Sequence, residues 1–233
     1  MSEFFASQDW LDTLDIVKTE VPLAIWETVY VTLISTLIAL AIGLPLGVLL
    51  AVGDKDGIVP LPAPLRHFLN VLINLLRSVP FLILIVVVAP LTRVIIGKAF
   101  GTAASIVPLV IAAFPFIARL VEGSIREVNP NIVEMAQSTG ASPFQIITKV
   151  LIPESVPSLI SNITIALTTI LGYTAMSGAI GGGGLGKLAI NYGYYRYKYL
   201  VMIITVILLI ILVQIFQSIG TKLSVVSDKR LKK

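Results

Sequence analysis

The sequence predicts an all-α integral membrane protein: five transmembrane helices and one helical loop at the membrane surface. Three observations carry that prediction. The 233 residues are 56% hydrophobic and only 13% charged, with a mean hydropathy of +0.96, whereas a soluble domain is about 45–50% apolar and about 25% charged. A soluble fold of this size would leave large apolar patches facing water. The apolar residues gather into five runs, each near the roughly 20 residues that cross a bilayer. Between the runs, alternate connections carry the larger share of Lys and Arg.

Residues 1–21 form a polar lead-in. Glu3, Asp9, Asp12, Asp15 and Glu20 make it acidic, which is unlike the basic start and short apolar core of a signal peptide. Trp10, Leu11, Leu14 and Val17 have the spacing of a short amphipathic helix. The first span runs over about 23–52, long enough to tilt or to extend past the bilayer. The second covers about 68–91, the third about 103–121, the fourth about 159–180 and the fifth about 200–219. Backbone groups cannot stay unpaired in hydrocarbon, so each is expected to be helical. These continuous runs do not fit the alternating strands of a barrel. Within the first span, Gly43 and Gly47 have the four-residue spacing that lets helices approach closely, either inside one bundle or between subunits. Pro45, Pro80, Pro108 and Pro115 are expected to kink their helices.

Orientation follows from the basic residues. The tail, 221–233, carries Lys222, Lys229, Arg230, Lys232 and Lys233 and is placed in the cytoplasm; five spans then put the N-terminus outside. Lys55, Arg66, Arg77, Arg119, Arg126 and Lys149 also fall inside, against Lys18, Arg93, Lys98, Lys187, Arg196 and Lys198 outside. Arg77 and Arg119 both lie near the cytoplasmic end, where they either snorkel or serve gating and subunit contact.

The composition also excludes chemistry. The chain has no cysteine, hence no disulfide or thiolate metal site, and its single histidine, His67, makes no imidazole cluster. The run Gly181–Leu188 nearly spells a P-loop, but Leu188 stands where magnesium needs a hydroxyl, and a membrane span precedes it instead of a strand. It is expected to be a hinge or a close helix approach. Glu27, near the outer end of the first span, is the one acidic residue well inside a span. An ion-coupled carrier expects paired ionisable residues at mid-membrane.

The connection over about 122–158 interrupts the membrane pattern. Asn129-Pro130 opens a helix, with Pro130 at its first position. Gly140 stops it, and Ser142-Pro143 starts another with Phe144, Ile147, Val150 and Leu151 on one face. Pro153 and Pro157 are expected to break the chain before the fourth span. Such a helix exposing Phe144 and Ile147 suits either a groove on a partner protein or the lipid interface.

Here the sequence resembles a known family. Glu134-Met135-Ala136, then Gly140, then Val150-Leu151-Ile152-Pro153 looks like the EAA loop of binding-protein-dependent ABC importer permeases: Glu-Ala-Ala, three residues, Gly, nine residues, Ile-x-Leu-Pro. Glu134, Ala136, Gly140 and Pro153 match at the required spacing; Met135, Val150 and Ile152 depart from it. Arg77–Phe81, Pro115–Arg119, Gly172–Met176 and the glycines from Gly181 to Gly186 narrow the likeness to the small, five-span methionine-importer permeases, over about residues 22–220. The resemblance implies a type I ABC importer fold. It implies a homodimeric permease of the bacterial inner membrane, with no catalytic site of its own. ATP and magnesium would be bound by a partner ATPase, present in two copies, into which the loop docks through Glu134, Ala136, Gly140, Phe144 and Pro153. An extracytoplasmic methionine-binding protein would dock outside, and no nucleic acid would be involved. Tyr173 and Met176, one turn apart in the fourth span, would line the substrate path. Thr164, Thr168 and Thr169 either add polar lining or bond back to their own helix. Tyr192, Tyr194, Tyr195, Tyr197 and Tyr199, with Arg196 and Lys198, form an aromatic, basic belt at the headgroups or at the docked partner. A permease for another amino acid, and an ATP-independent secondary transporter, are the alternatives.

Overall fold

A backbone in hydrocarbon must pair its own N–H and C=O groups, and the described residues of this chain do so in helices. In a computed structural model, which describes residues 8–228, the regular elements are α-helices and two π-helical turns, with no strand among the described residues. In order they are α1 (Gln8–Thr19), α2 (Val21–Val52), α3 (Ala63–Ser78), α4 (Phe81–Val87), α5 (Ala89–Ile96) and α6 (Ile106–Arg126). Then follow α7 (Pro130–Ser138), α8 (Pro143–Ile146), α9 (Ile152–Ala179), α10 (Gly184–Leu188) and α11 (Tyr199–Ser227). Helices α2, α6, α11 and the stretch containing α9 are long and apolar enough to cross a membrane, and the broken pair α3 and α4 makes a fifth. Glu3, Lys229, Arg230, Lys232 and Lys233, used in the charge reading, lie outside the described residues, as do the side chains of Trp10 and Leu11.

Two expectations about helix breaks are corrected. The second span is not one helix. Val79 and Pro80 are extended, with ψ of 123° and 135°, so α3 stops at Ser78 and α4 starts at Phe81. Pro80 has no N–H to continue the ladder, and its ring drives the preceding residue out of the helical region. In the opposite sense, Pro153 and Pro157 do not break the chain. Residues 147–151 widen into a π turn, closed by the Ile152 N–H on the Ile147 carbonyl, and α9 follows with Pro157 inside it. Opening the turn immediately before Pro153 gives its ring room that a tight α-turn denies.

The chain forms two compact units. Among the described residues, the first gathers those up to Thr36, with Pro80–Val110 and Leu167–Ile215; the second gathers Leu37–Val79, Ile111–Ala166 and those from Phe216 on. In the first unit Val21, Ala24, Leu185 and Leu188 make a buried cluster, with Val17 and Leu212 against it. Thr28, Thr32 and Thr36, all buried, each return the hydroxyl to the carbonyl one turn back at 2.7–2.8 Å, which satisfies each buried hydroxyl proton within α2. In the second unit Leu50, Ile73 and Ala118 pack together with Leu46 and Leu69. There Gly43 and Gly47 face α6: a Cβ on Gly43 would lie 2.8 Å from the Phe114 carbonyl, and one on Gly47 would strike the Ala118 carbonyl. The small-residue pair therefore serves packing inside this chain.

Candidate functional site

The loop between α6 and α9 is built by caps. The Asn129 side chain accepts a hydrogen bond from the Asn131 N–H at 3.0 Å, and Pro130 takes the first helical position, where no N–H is needed. Helix α7 ends in a Schellman turn: the Ala141 N–H donates to the Ala136 carbonyl at 3.1 Å and the Gly140 N–H to Gln137 at 2.9 Å. Gly140 sits at φ +79°, yet a Cβ there would meet nothing within 4 Å. Backbone conformation, not space, requires glycine at this point. Ser142 then caps α8 in a reciprocal capping box with Gln145.

The caps present the expected coupling residues on one surface loop of the second unit. Glu134 is exposed, and Ala136 is half-buried with its carbonyl held by both Ala141 and the Thr139 hydroxyl. Pro153 is exposed. Phe144 is 74% exposed and Met135 is 64% exposed, the two large apolar side chains of α7 and α8 that are exposed. The expected single face of Phe144, Ile147, Val150 and Leu151 does not form. Ile146 and Leu151 are buried, Ile147 and Val150 are half-buried, and Phe144 points away. The π turn adds a residue per turn and so rotates the later side chains out of the 3.6-residue register.

Tyr173 and Met176 lie in the first unit. The Tyr173 ring stacks on Phe81, with centroids 4.7 Å apart and planes 5° apart. Met176 is 45% exposed. Phe81 escaped the sequence reading as a partner of Tyr173. Thr164 bonds back to the Ile160 carbonyl at 2.8 Å, the helix-local alternative for that residue.

Sequence reasoning also missed an ionic chain in the second unit. Asp54, in the α2–α3 connection, pairs with Arg66 at 3.5 Å and Arg126 at 2.8 Å. Arg126 also meets Glu122 at 3.0 Å, and Glu122 meets Arg119 at 2.7 Å. Arg119 donates to the side chains of Asn70 at 2.7 Å and Asn74 at 3.2 Å. Arg119 is thus tied to α3 and to Glu122, whereas Arg77 is exposed. The Arg126 hydrogen bond, helped by the Lys55 N–H and by the charge of Arg66, holds the Asp54 carboxyl below the usual range. The i, i+3 and i+4 spacing of Arg119, Glu122 and Arg126 was the signal available for the α6 part; nothing local marked Asp54.

The glycine run is tied to α2 by hydrogen bonds. The Gly184 N–H donates to a Glu27 carboxylate oxygen at 2.7 Å, and the Leu185 N–H donates to the Thr28 hydroxyl at 2.9 Å. The Thr102 hydroxyl donates to the other Glu27 oxygen at 2.9 Å. Two backbone donors of the run are therefore already taken by side chains of α2. Gly186 lies against the Ala175 backbone and Gly178 against Lys187, so the run is a close helix approach. Beside it, Glu20, Glu27, Lys187, Tyr192 and Arg196 line a cavity of about 280 Å³, with the Arg196 guanidinium 4.6 Å from the Tyr192 ring centroid.

Residues 43–222 match the profile of the family described as the binding-protein-dependent transport system inner membrane component. Among curated relatives, the probable D-methionine transport system permease protein MetI of Vibrio cholerae is 49% identical over 200 residues, 86% of this chain and 88% of that protein. The methionine import system permease protein MetP of Bacillus subtilis is 43% identical over 212 residues, 91% and 95% of the two chains. Among solved structures, a chain of the inward-facing MetNI methionine ABC transporter superposes with a TM-score of 0.88 at 40% identity, covering 96% of this chain and 100% of that one.

Proposed function

The chain belongs to the family of inner membrane components of binding-protein-dependent transport systems, and on that premise we propose that it is the membrane-spanning permease of an ATP-driven importer that moves methionine into the cytoplasm. The observation that carries this reading is the capped helix pair α7–α8, bent at Gly140 and displaying Phe144 and Met135 to a partner. Relatives named for methionine transport supply the substrate.

Two copies of the chain line the path, with Tyr173 and Met176 on it; the soft, polarizable Met176 thioether can meet a methionine side chain without polar mismatch. Residues 22–220 are the permease domain, preceded by the lead-in 1–21 and followed by the basic tail 221–233. The N-terminus lies outside and the tail in the cytoplasm. Two ATPase subunits bind ATP and magnesium, and each receives one coupling loop through Glu134, Ala136, Gly140, Phe144 and Pro153. An extracytoplasmic binding protein delivers the methionine. ATP binding favours one of two conformations, and the loop transmits that bias because it is stiff at both caps.

The test is uptake and ATP hydrolysis in liposomes containing the chain, its ATPase and its binding protein. Methionine stimulates both in the wild type, and Gly140→Trp, which forces a side chain onto a left-handed φ, uncouples or abolishes them. Uptake that continues without hydrolysis and ignores Gly140→Trp replaces this reading with a secondary transporter. Stimulation by another amino acid alone changes only the substrate.

A further inference from the structure

We propose that the Arg126–Asp54 ion pair is a strut that fixes the root of the coupling helix α7 against the α2–α3 connection, so that displacement of α7 moves the membrane helices and not the loop alone. Arg126 is the last residue of α6, and only residues 127–129 separate it from α7. Helix α7 does not pack tightly on the α2–α3 connection. A groove of about 360 Å³ lies there, with Val52, Asp56 and Ile58 on one side and Val133, Glu134 and Gln137 on the other. A lever standing across an open groove bends unless something rigid spans its base. The Arg126 guanidinium reaches Asp54 at 2.8 Å and Glu122 at 3.0 Å, and so joins the connection to α6. The connection is itself stiff: the Gly57 N–H donates to Asp54, Val59 to Val52 and Leu61 to Gly53, at 3.0–3.1 Å. From Glu122 the tie continues through Arg119 to Asn70 and Asn74 on α3. Arg126 is thus a positioning residue, acting through α7 and touching no substrate.

The functional half of this proposal rests on the importer reading; the geometric half does not. The chain has no cysteine, so Ile58→Cys and Gln137→Cys carry a pair of spin labels across the groove in the reconstituted complex. Arg126→Gln leaves Asp54 its contact with Arg66 and Glu122 its contact with Arg119, so the variant keeps both carboxylates paired and folds. Arg126→Gln and Asp54→Asn each broaden the label distances and lower methionine imported per ATP hydrolysed by about two- to fivefold, the shift that one part-exposed ion pair supplies. Arg126→Lys, which keeps the charge, restores most of that ratio. The double variant is no worse than either single one, because both remove the same contact. Wild-type label distances and a wild-type ratio in Arg126→Gln overturn the strut, as does a proportional fall of uptake and hydrolysis with unchanged distances. If the wild-type complex imports no methionine, the importer reading falls, and the strut is then decided by the label distances alone.

Discussion

At Gly140, in the second unit, an added Cβ meets nothing within 4 Å, whereas at Gly186, in the first unit, it runs into the backbone of Ala175. The turn at Gly140 is held from within, by a Schellman pair, an Asn cap and a capping box, all closed between residues at most five apart. The glycine run is held from outside, by Glu27 and Thr28, each 157 residues away in sequence from the N–H it accepts. Gly140 is needed for its φ and Gly186 for its small volume, while Gly181 and Gly184 of the same run also sit at positive φ. A surface lever can be rebuilt locally, while a buried approach depends on everything packed around it.

That contrast can be broken from its strong side first. Gly186→Ala places a methyl against backbone that cannot rotate away, and a loss of about 3 kcal/mol is expected; thermal unfolding in detergent measures it, and a wild-type midpoint would remove the contrast. Glu27→Ala leaves the Gly184 N–H and the Thr102 hydroxyl without their acceptor and should cost about 2 kcal/mol by the same assay. Glu27→Gln tests a different point: a carboxylate committed to scaffolding leaves the pH profile of uptake unchanged, whereas a proton-coupling residue would alter it. Gly140→Ala costs about 1 kcal/mol from φ alone, with Gly140→Asn milder because asparagine tolerates the left-handed region; equal losses for the two would contradict a purely conformational role. Phe144→Ala, at an exposed position, should change stability by no more than about 0.5 kcal/mol while weakening co-purification of the ATPase subunit. The smallest effect is acid dependence at Asp54. Its folded carboxyl lies below the usual range, so the pair contributes fully above the unfolded value, about 3.9, and is lost as pH falls through the folded one. Stability should be flat in this respect from neutral pH down to about 4, and Asp54→Asn should flatten the acid limb below it.

Much of the α7–α8 loop was legible because it is local. Asn129-Pro130, Gly140 and Ser142-Pro143 each fix a cap through neighbours at most five residues away. The faces of α8 were misread because a π turn is invisible to a 3.6-residue count, and Phe144 therefore separates from Leu151. Pro80 broke its span, whereas Pro153 and Pro157, expected to break the chain before the fourth span, did not, because the π turn over residues 147–151 opens the helix ahead of them.

The sequence by itself determined the membrane class, four of the five spans and the two-helix loop. Hydropathy is a sum over a window and capping is a contact between near neighbours, and neither needs a fold to be evaluated. Only the tertiary structure decided that Glu27 clamps the glycine run, that Phe81 stacks on Tyr173 and that Arg126 reaches Asp54. The members of each pair lie on different elements, far apart in sequence. Which helices meet, and at what rotation, is set by close approaches such as Gly43 and Gly47 against α6, a property of packed surfaces that no single segment contains.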